Sequence, residues 1–179
     1  MNFSALAALD YEITLLFTTL AKSSPALILV TKFFATYAIF IIVGFAALSF
    51  FINWPFIRVS GKLLFIEFLI SGVSAWVLNQ FISLFFYRIR PFAAYEGKII
   101  PLIRETFLEK SFPSDHAAVA MALAAILLLW SPKAGIPLVI LALAIAFARV
   151  FAGVHYPTDV LAGIIVGGSV AFFVHRIFS

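Results

Sequence analysis

Cysteine is absent from the chain. Disulfide bridges and thiolate chemistry are excluded with it, and any metal site would lack its softest ligands. Charge is almost as scarce: Asp, Glu, Lys and Arg make up 11% of the 179 residues, against 64% hydrophobic ones, with a mean hydropathy of +1.15. Soluble domains carry about a quarter charged residues, so this composition belongs to an integral membrane protein. The three histidines fall at positions 116, 155 and 175. No His-Glu-x-x-His spacing occurs among them, so neither a metal nor another cofactor is indicated. The net charge of +4 suits an anionic substrate or anionic headgroups, and no nucleic-acid partner is expected. The first residues contain neither a basic n-region nor a small-residue cleavage site, so no removable signal peptide is expected.

What is plentiful is apolar sequence in helix-length runs. Phe3–Ala21 carries Leu6, Leu9, Ile13, Leu16, Phe17 and Leu20 on one stripe, with Asp10, Tyr11, Thr14 and Thr18 elsewhere. An interfacial helix fits; a short sixth span is the alternative, against which Asp10 and Glu12 count. Residues 26–52 contain Lys32 as their one charge and are long enough to cross a bilayer. Asn53-Trp54-Pro55 stops that run, and residues 61–87 cross back. Three further spans follow: a helix opening at Ser114 and running to Trp130, residues 134–150 after a reversal at Ser131-Pro132-Lys133, and Pro157–Phe178. The expected fold is an all-α polytopic helical bundle, one membrane-embedded domain over residues 1–179, with an extramembrane cap at 88–115. Glu67 is the odd charge inside a span. A proton or cation site is one reading; pairing with Lys62 or Arg58, or protonation, is the simpler one. Asn79 and Gln80 read as interhelical hydrogen-bond partners.

Three polar clusters break the apolar pattern, and the span count puts all of them on one side of the membrane. Arg88 and Arg90-Pro91 end one helix. Ser111-Phe112-Pro113-Ser114-Asp115-His116 opens another, with Ser114 typed as an N-cap and Asp115 favourable in the first turn. The stretch 148–159 links the last two spans and holds Arg149, His155 and Asp159. A carboxylate four residues beyond a histidine can accept its Nδ1–H and leave Nε2 as nucleophile or base; a structural capping pair is the other reading. Together the clusters describe an oxyanion receptor with a nucleophile and an acid: arginine forks and a helix N-terminus suit phosphate oxygens.

These residues resemble the three signature motifs of the type-2 phosphatidic acid phosphatase superfamily: Arg90-Pro91, then Pro113-Ser114-Asp115-His116, then Arg149-x5-His155-x3-Asp159. The resemblance implies His155 as nucleophile, Asp159 as its orienting partner, His116 as acid, and Arg90, Ser114 and Arg149 as phosphate ligands. Where that pattern has a lysine seven residues before the first arginine, this chain has Ser83, and Arg88 is the expected substitute. Asp115 replaces a glycine; it could hold Arg88 or Arg90, or act on His116. Ser-Phe-Pro-Ser-Asp-His and Gly-Val-His-Tyr-Pro-Thr-Asp look like the bacterial undecaprenyl pyrophosphate phosphatases within the superfamily.

The expectation is therefore a metal-independent membrane phosphatase that converts undecaprenyl pyrophosphate to the monophosphate through a phosphohistidine. Phosphatidylglycerophosphate, phosphatidic acid and lipid A are alternative substrates. An anion transporter or a structural subunit is the alternative outside enzymology, but a conducting path predicts polar residues along the spans. The expected partner is an isoprenoid or phospholipid phosphate in the bilayer. The expected location is a bacterial inner membrane with the site on the outer face, which the resemblance implies; the opposite face carries Arg58, Lys62, Lys133 and Arg176 without acids, but the catalytic face has as many basic residues, so the charge count alone leaves the orientation open.

Overall fold

The computed structural model describes residues 3–49, 51–52, 59–105, 108 and 110–179; Asn53-Trp54-Pro55, Arg58 and Glu109 lie outside them. In chain order the helices are α1 (Phe3–Ala21), α2 (Pro25–Lys32), α3 (Ile39–Ser49), α4 (Gly61–Phe85), α5 (Pro91–Ala94), α6 (Asp115–Trp130), α7 (Pro132–Phe151) and α8 (Pro157–Phe178). A π turn over Phe33–Tyr37 joins α2 to α3 in one rod. Proline stands in the first turn of α2, α7 and α8, where its missing N–H is not needed. Ser24 and Ser60 cap α2 and α4, accepting from Leu27 N at 3.2 Å and Leu63 N at 3.3 Å.

Among the described residues, four helices are long and apolar enough to cross a membrane: Pro25–Ser49, Gly61–Phe85, Pro132–Phe151 and Pro157–Phe178. The remaining expected span is α6, a shorter apolar helix of 16 residues. It is the hub of the bundle, packed by α3, α4, α7 and α8 and rich in buried alanine. Small side chains on both partners let backbones approach closely. A Cβ on Gly163 would lie 2.6 Å from Ser114 O, and one on Gly167 would lie 2.2 Å from Ala118 O. Helices α6 and α8 therefore run parallel in nearly full backbone contact, as small-x-x-x-small pairs do in membranes. Their N-termini are held level, which sets His116 beside the first turn of α8.

The interior is mainly apolar, but the polar side chains of the helices are turned into it while large apolar ones cover the outside. Trp76, Phe81, Ile140, Ile165 and Phe173 are exposed, whereas Ser71, Asn79 and Thr14 are buried. Helix α1 obeys the same rule. Asp10, Thr14 and Thr18 face the bundle, and Leu9, Leu16 and Leu20 face away. By length and composition α1 is not among the four candidate membrane spans. Glu67 is fully buried and accepts from Trp130 Nε1 at 2.9 Å, with His175 Nδ1 at 3.2 Å. It ties α4, α6 and α8 together at the end remote from the motifs, so among the described residues its partners are Trp130 and His175 and not the Lys62 expected from sequence proximity, while Arg58 lies outside them.

Candidate active site

Asp115 and His116 begin α6, Arg149 ends α7, and Asp159 lies in the first turn of α8. The α7–α8 link turns at Gly153, whose φ of +74° is open to glycine and strained for other residues. Residues 88–111 fold back over these helix ends. Arg90 N donates to Leu108 O at 2.9 Å, Ser111 N to Arg88 O at 2.9 Å, and Leu102 N to Ala152 O at 3.0 Å. Beneath this cover lies a cavity of about 610 Å³ lined by Arg90, Arg149, His116 and His155, together with Glu105, Lys110 and Asp115.

The geometry assigns the His155 tautomer. Nδ1 lies 2.8 Å from Ser111 O, which can only accept, so Nδ1 carries the hydrogen. Nε2 then presents its lone pair, and it stands 3.0 Å from Arg90 Nη1, which can only donate. Burial pushes the imidazolium pKa down; Arg149 and Arg90 add to the drop, while Asp159 opposes it. A neutral imidazole with Nε2 free of hydrogen is the nucleophilic form.

Asp159 does not take the Nδ1–H as expected from sequence: its Oδ2 stays 3.6 Å from Nδ1. That oxygen accepts instead from Ser111 Oγ at 2.6 Å and Tyr156 N at 2.8 Å, while Oδ1 accepts from Arg88 Nη1 at 2.7 Å. The carboxylate thus holds Ser111, and Ser111 holds the histidine.

Arg88 is likewise displaced from its expected role. Helix α4 ends at Phe85, so Arg88 lies in an extended connection bridged to Lys110. Its guanidinium reaches Asp10 Oδ2 at 2.6 Å, Thr158 Oγ1 at 2.7 Å and Asp159, and its Cζ sits 3.8 Å from the Tyr156 ring centroid. These contacts use three of its five N–H donors, and Arg88 does not line the cavity.

The expected phosphate ligands behave differently. Arg149 is buried; Nη1 donates to Ala35 O at 2.7 Å, Nη2 donates to Glu105 Oε1, and Nε has no hydrogen-bond partner. Arg90 Nη2 lies 3.6 Å from Glu105 Oε2, so one carboxylate spans both guanidinium groups. Burial works to raise the Glu105 pKa, but Arg149 and Arg90 outweigh it and hold the carboxyl below its ordinary value. Ser114 occupies the N-cap position of α6, yet its hydroxyl makes no capping bond; Oγ is buried without a partner. A buried hydroxyl at the start of α6 and a buried guanidinium N–H in the last turn of α7, both left unpaired, fit an oxyanion. Asp115 holds neither Arg88 nor Arg90. It accepts from Asn79 Nδ2 at 2.5 Å, Gln80 Nε2 at 3.2 Å and Lys110 Nζ at 2.8 Å. Asn79 and Gln80 thus make the interhelical bonds expected of them.

The family model of the PAP2 superfamily matches residues 62–179. The chain belongs to the PAP2 superfamily. Among PAP2 relatives, it is 37% identical over 108 residues to the undecaprenyl-diphosphatase BcrC of Bacillus subtilis (strain 168), covering 60% of this chain and 54% of that one. The chain thus matches about half the length of that relative. Two solved PAP2-type folds align along most of the chain. LpxE of Aquifex aeolicus gives a TM-score of 0.76 at 22% identity, over 92% of this chain and 93% of that one, a likeness of fold. A transmembrane PAP2 type phosphatidylglycerolphosphate phosphatase from Bacillus subtilis gives 0.62 at 25% identity, over 98% of this chain and 87% of that one. The PAP2 match leaves out α1 and the α2–α3 rod. Asp10 and Ala35, which hold Arg88 and Arg149, come from that N-terminal part.

Four side chains of the site escaped the sequence reading as site residues: Asp10, Glu105, Lys110 and Ser111. Glu105 and Lys110 did carry a signal, being charges in the one long polar segment. Asp10 carried another, as a carboxylate in the middle of an apolar helix.

Proposed function

We propose that this PAP2 chain hydrolyses undecaprenyl pyrophosphate, releasing inorganic phosphate and leaving the monophosphate carrier lipid. The observation that carries the reading is the His155 tautomer, a lone pair at Nε2 in a cavity with two arginines and a second histidine. The undecaprenyl-diphosphatase relative supports the substrate. Nε2 attacks the terminal phosphorus in line as the bond to the bridging oxygen breaks, giving a phosphohistidine. His116 delivers a proton to the departing oxygen, then takes one from the water that attacks the phosphohistidine and frees His155 and phosphate. Arg90, Arg149 and Ser114 Oγ bind the phosphoryl oxygens, and the free N–H groups of the α6 N-terminus add a fixed positive end. With two guanidinium groups neutralising charge, no metal step is needed.

A second reading, hydrolysis of phosphatidylglycerophosphate, is supported by the solved phosphatase that aligns over 98% of the chain. The protein is placed in a bacterial inner membrane with the site outward, a reading supported by Lys62, Lys133 and Arg176 at the far helix ends. Phosphate release by the purified protein in EDTA, against a panel of lipid phosphates and diphosphates, tests the proposal. The highest kcat/KM is expected with undecaprenyl pyrophosphate, with activity retained in EDTA. Preference for a phospholipid phosphate rejects the substrate, and loss in EDTA restored by magnesium rejects the mechanism.

A further inference from the structure

The cavity has an ordered depth that the helices themselves measure. At its top stand His155, Arg90 and Arg149. On α6, Asp115 and His116 lie one turn above Val119; on α4, Gln80 lies one turn above Trp76, each turn being about 5.4 Å. Trp76, Val119 and Ile39 form an apolar floor, continuous with the lipid-facing surface through the half-exposed Trp76. Lys110 lines the same cavity at the level of Gln80 and Asp115, one turn above that floor. Its Nζ donates to Gln80 Oε1 and, at 2.8 Å, to Asp115 Oδ2. Those two acceptors use two of the three ammonium N–H donors, and the side chain keeps a quarter of its surface open. Asp115 is meanwhile covered by Asn79 Nδ2 and Gln80 Nε2 as well as by Lys110, so its charge is shared among three donors.

We infer that Lys110, set by Asp115 and Gln80, forms a subsite for the second phosphoryl group of a diphosphate lipid. The inference rests on the lipid phosphatase reading above and deepens it. In a prenyl diphosphate the inner phosphate lies between the terminal phosphate and the hydrocarbon, and Lys110 shares the cavity with the arginines one turn above its apolar floor. When His155 attacks the terminal phosphorus and the bridging P–O bond breaks, the electron pair goes to the inner phosphate, which leaves as a phosphate monoester. A fixed ammonium beside that group neutralises the charge it gains. An alcohol leaving group from a monophosphate ester has no such charge at that level and depends on the His116 proton alone. Lys110 therefore supplies a cation that Ser83 does not, and directs it at the leaving group.

The test uses the full-length purified protein with two probes that share a tail, farnesyl diphosphate and farnesyl monophosphate. Lys110→Ala and Lys110→Arg are compared with the parent. The ratio of diphosphate to monophosphate kcat/KM is expected to fall about ten- to hundredfold in Lys110→Ala, the scale of one charge-assisted contact, and to recover in large part in Lys110→Arg. Equal losses on both probes, or no loss on either, overturn the subsite. Calorimetric binding of inorganic pyrophosphate and inorganic phosphate reads the same site without turnover. The parent is expected to prefer pyrophosphate and Lys110→Ala to lose that preference; a parent without preference overturns the inference. If the parent hydrolyses neither probe while the calorimetric preference depends on Lys110, the proposed activity fails and the subsite stands.

Discussion

The His155 imidazole hangs from the main chain of Ser111: Nδ1–H donates to the Ser111 carbonyl oxygen across 2.8 Å. The Ser111 hydroxyl in turn donates to Asp159. Ser111→Ala keeps the main-chain acceptor and removes only the hydroxyl. A loss of about 1 kcal/mol is expected, roughly fivefold in kcat, whereas His155→Ala abolishes turnover. Steady-state kinetics on both variants check this, and a Ser111→Ala defect as deep as that of His155→Ala would reject the indirect role.

Because burial and two arginines lower the His155 pKa, the proposed nucleophile remains neutral below the ordinary imidazole value of about 6.5. The sign follows: lowering the pH protonates His155 and removes activity, but only beneath that value. The acid limb of the kcat/KM profile for the free enzyme should therefore have its midpoint under 6.5. The same shift makes the unfolded chain the better proton binder, so stability falls with pH in that window. An acid midpoint above 6.5 would contradict the burial of the imidazole.

Arg88 bridges two carboxylates, Asp10 and Asp159, and does not face the cavity. Arg88→Ala leaves both carboxylates buried without their cation, which costs about 3–5 kcal/mol when a buried pair is broken. A quarter of the Arg88 side chain remains exposed, so the lower end of that range applies. The expected result is a large drop in Tm with little change in the Ki for inorganic phosphate. Arg149→Ala should show the reverse priority, with phosphate affinity lost first. A Ki raised more by Arg88→Ala than by Arg149→Ala would return Arg88 to the phosphate.

Glu105 occupies the guanidinium faces that a phosphate would take. Glu105→Gln removes a competing anion at the same volume. Product inhibition by inorganic phosphate should tighten, by roughly fivefold if the net competition is about 1 kcal/mol. An unchanged or weaker Ki would make Glu105 a positioner of the arginines instead.

The gathering of the candidate residues was legible in the sequence because charge is so scarce. Arg90, His116, Arg149, His155 and Asp159 stand out against an apolar chain, and the count of spans brings them to one end of the bundle, where four of them line one cavity. The spans were legible for the same reason, with ends at Gly61, Trp130, Pro157 and Phe178 matching the helices. What stayed hidden was connectivity through irregular backbone. Every residue has a carbonyl, so nothing marks that of Ser111 as the histidine's acceptor. Arg88 looked equivalent to Arg90 while both were taken to close one helix; α4 stops at Phe85, and the two side chains part. Asp10 finds its partner 78 residues away, a pairing no local pattern announces.

The brevity of α6 bears on which membranes suit this protein. Its 16 residues rise about 24 Å, while a hydrocarbon core is about 30 Å thick. Were α6 to cross with Trp130 at one boundary, its first residue would stand about 6 Å short of the other. On the proposed lipid phosphatase reading, kcat/KM is expected to rise in thin, short-chain bilayers and to fall in thick ones, because thinning brings the headgroup plane toward His155.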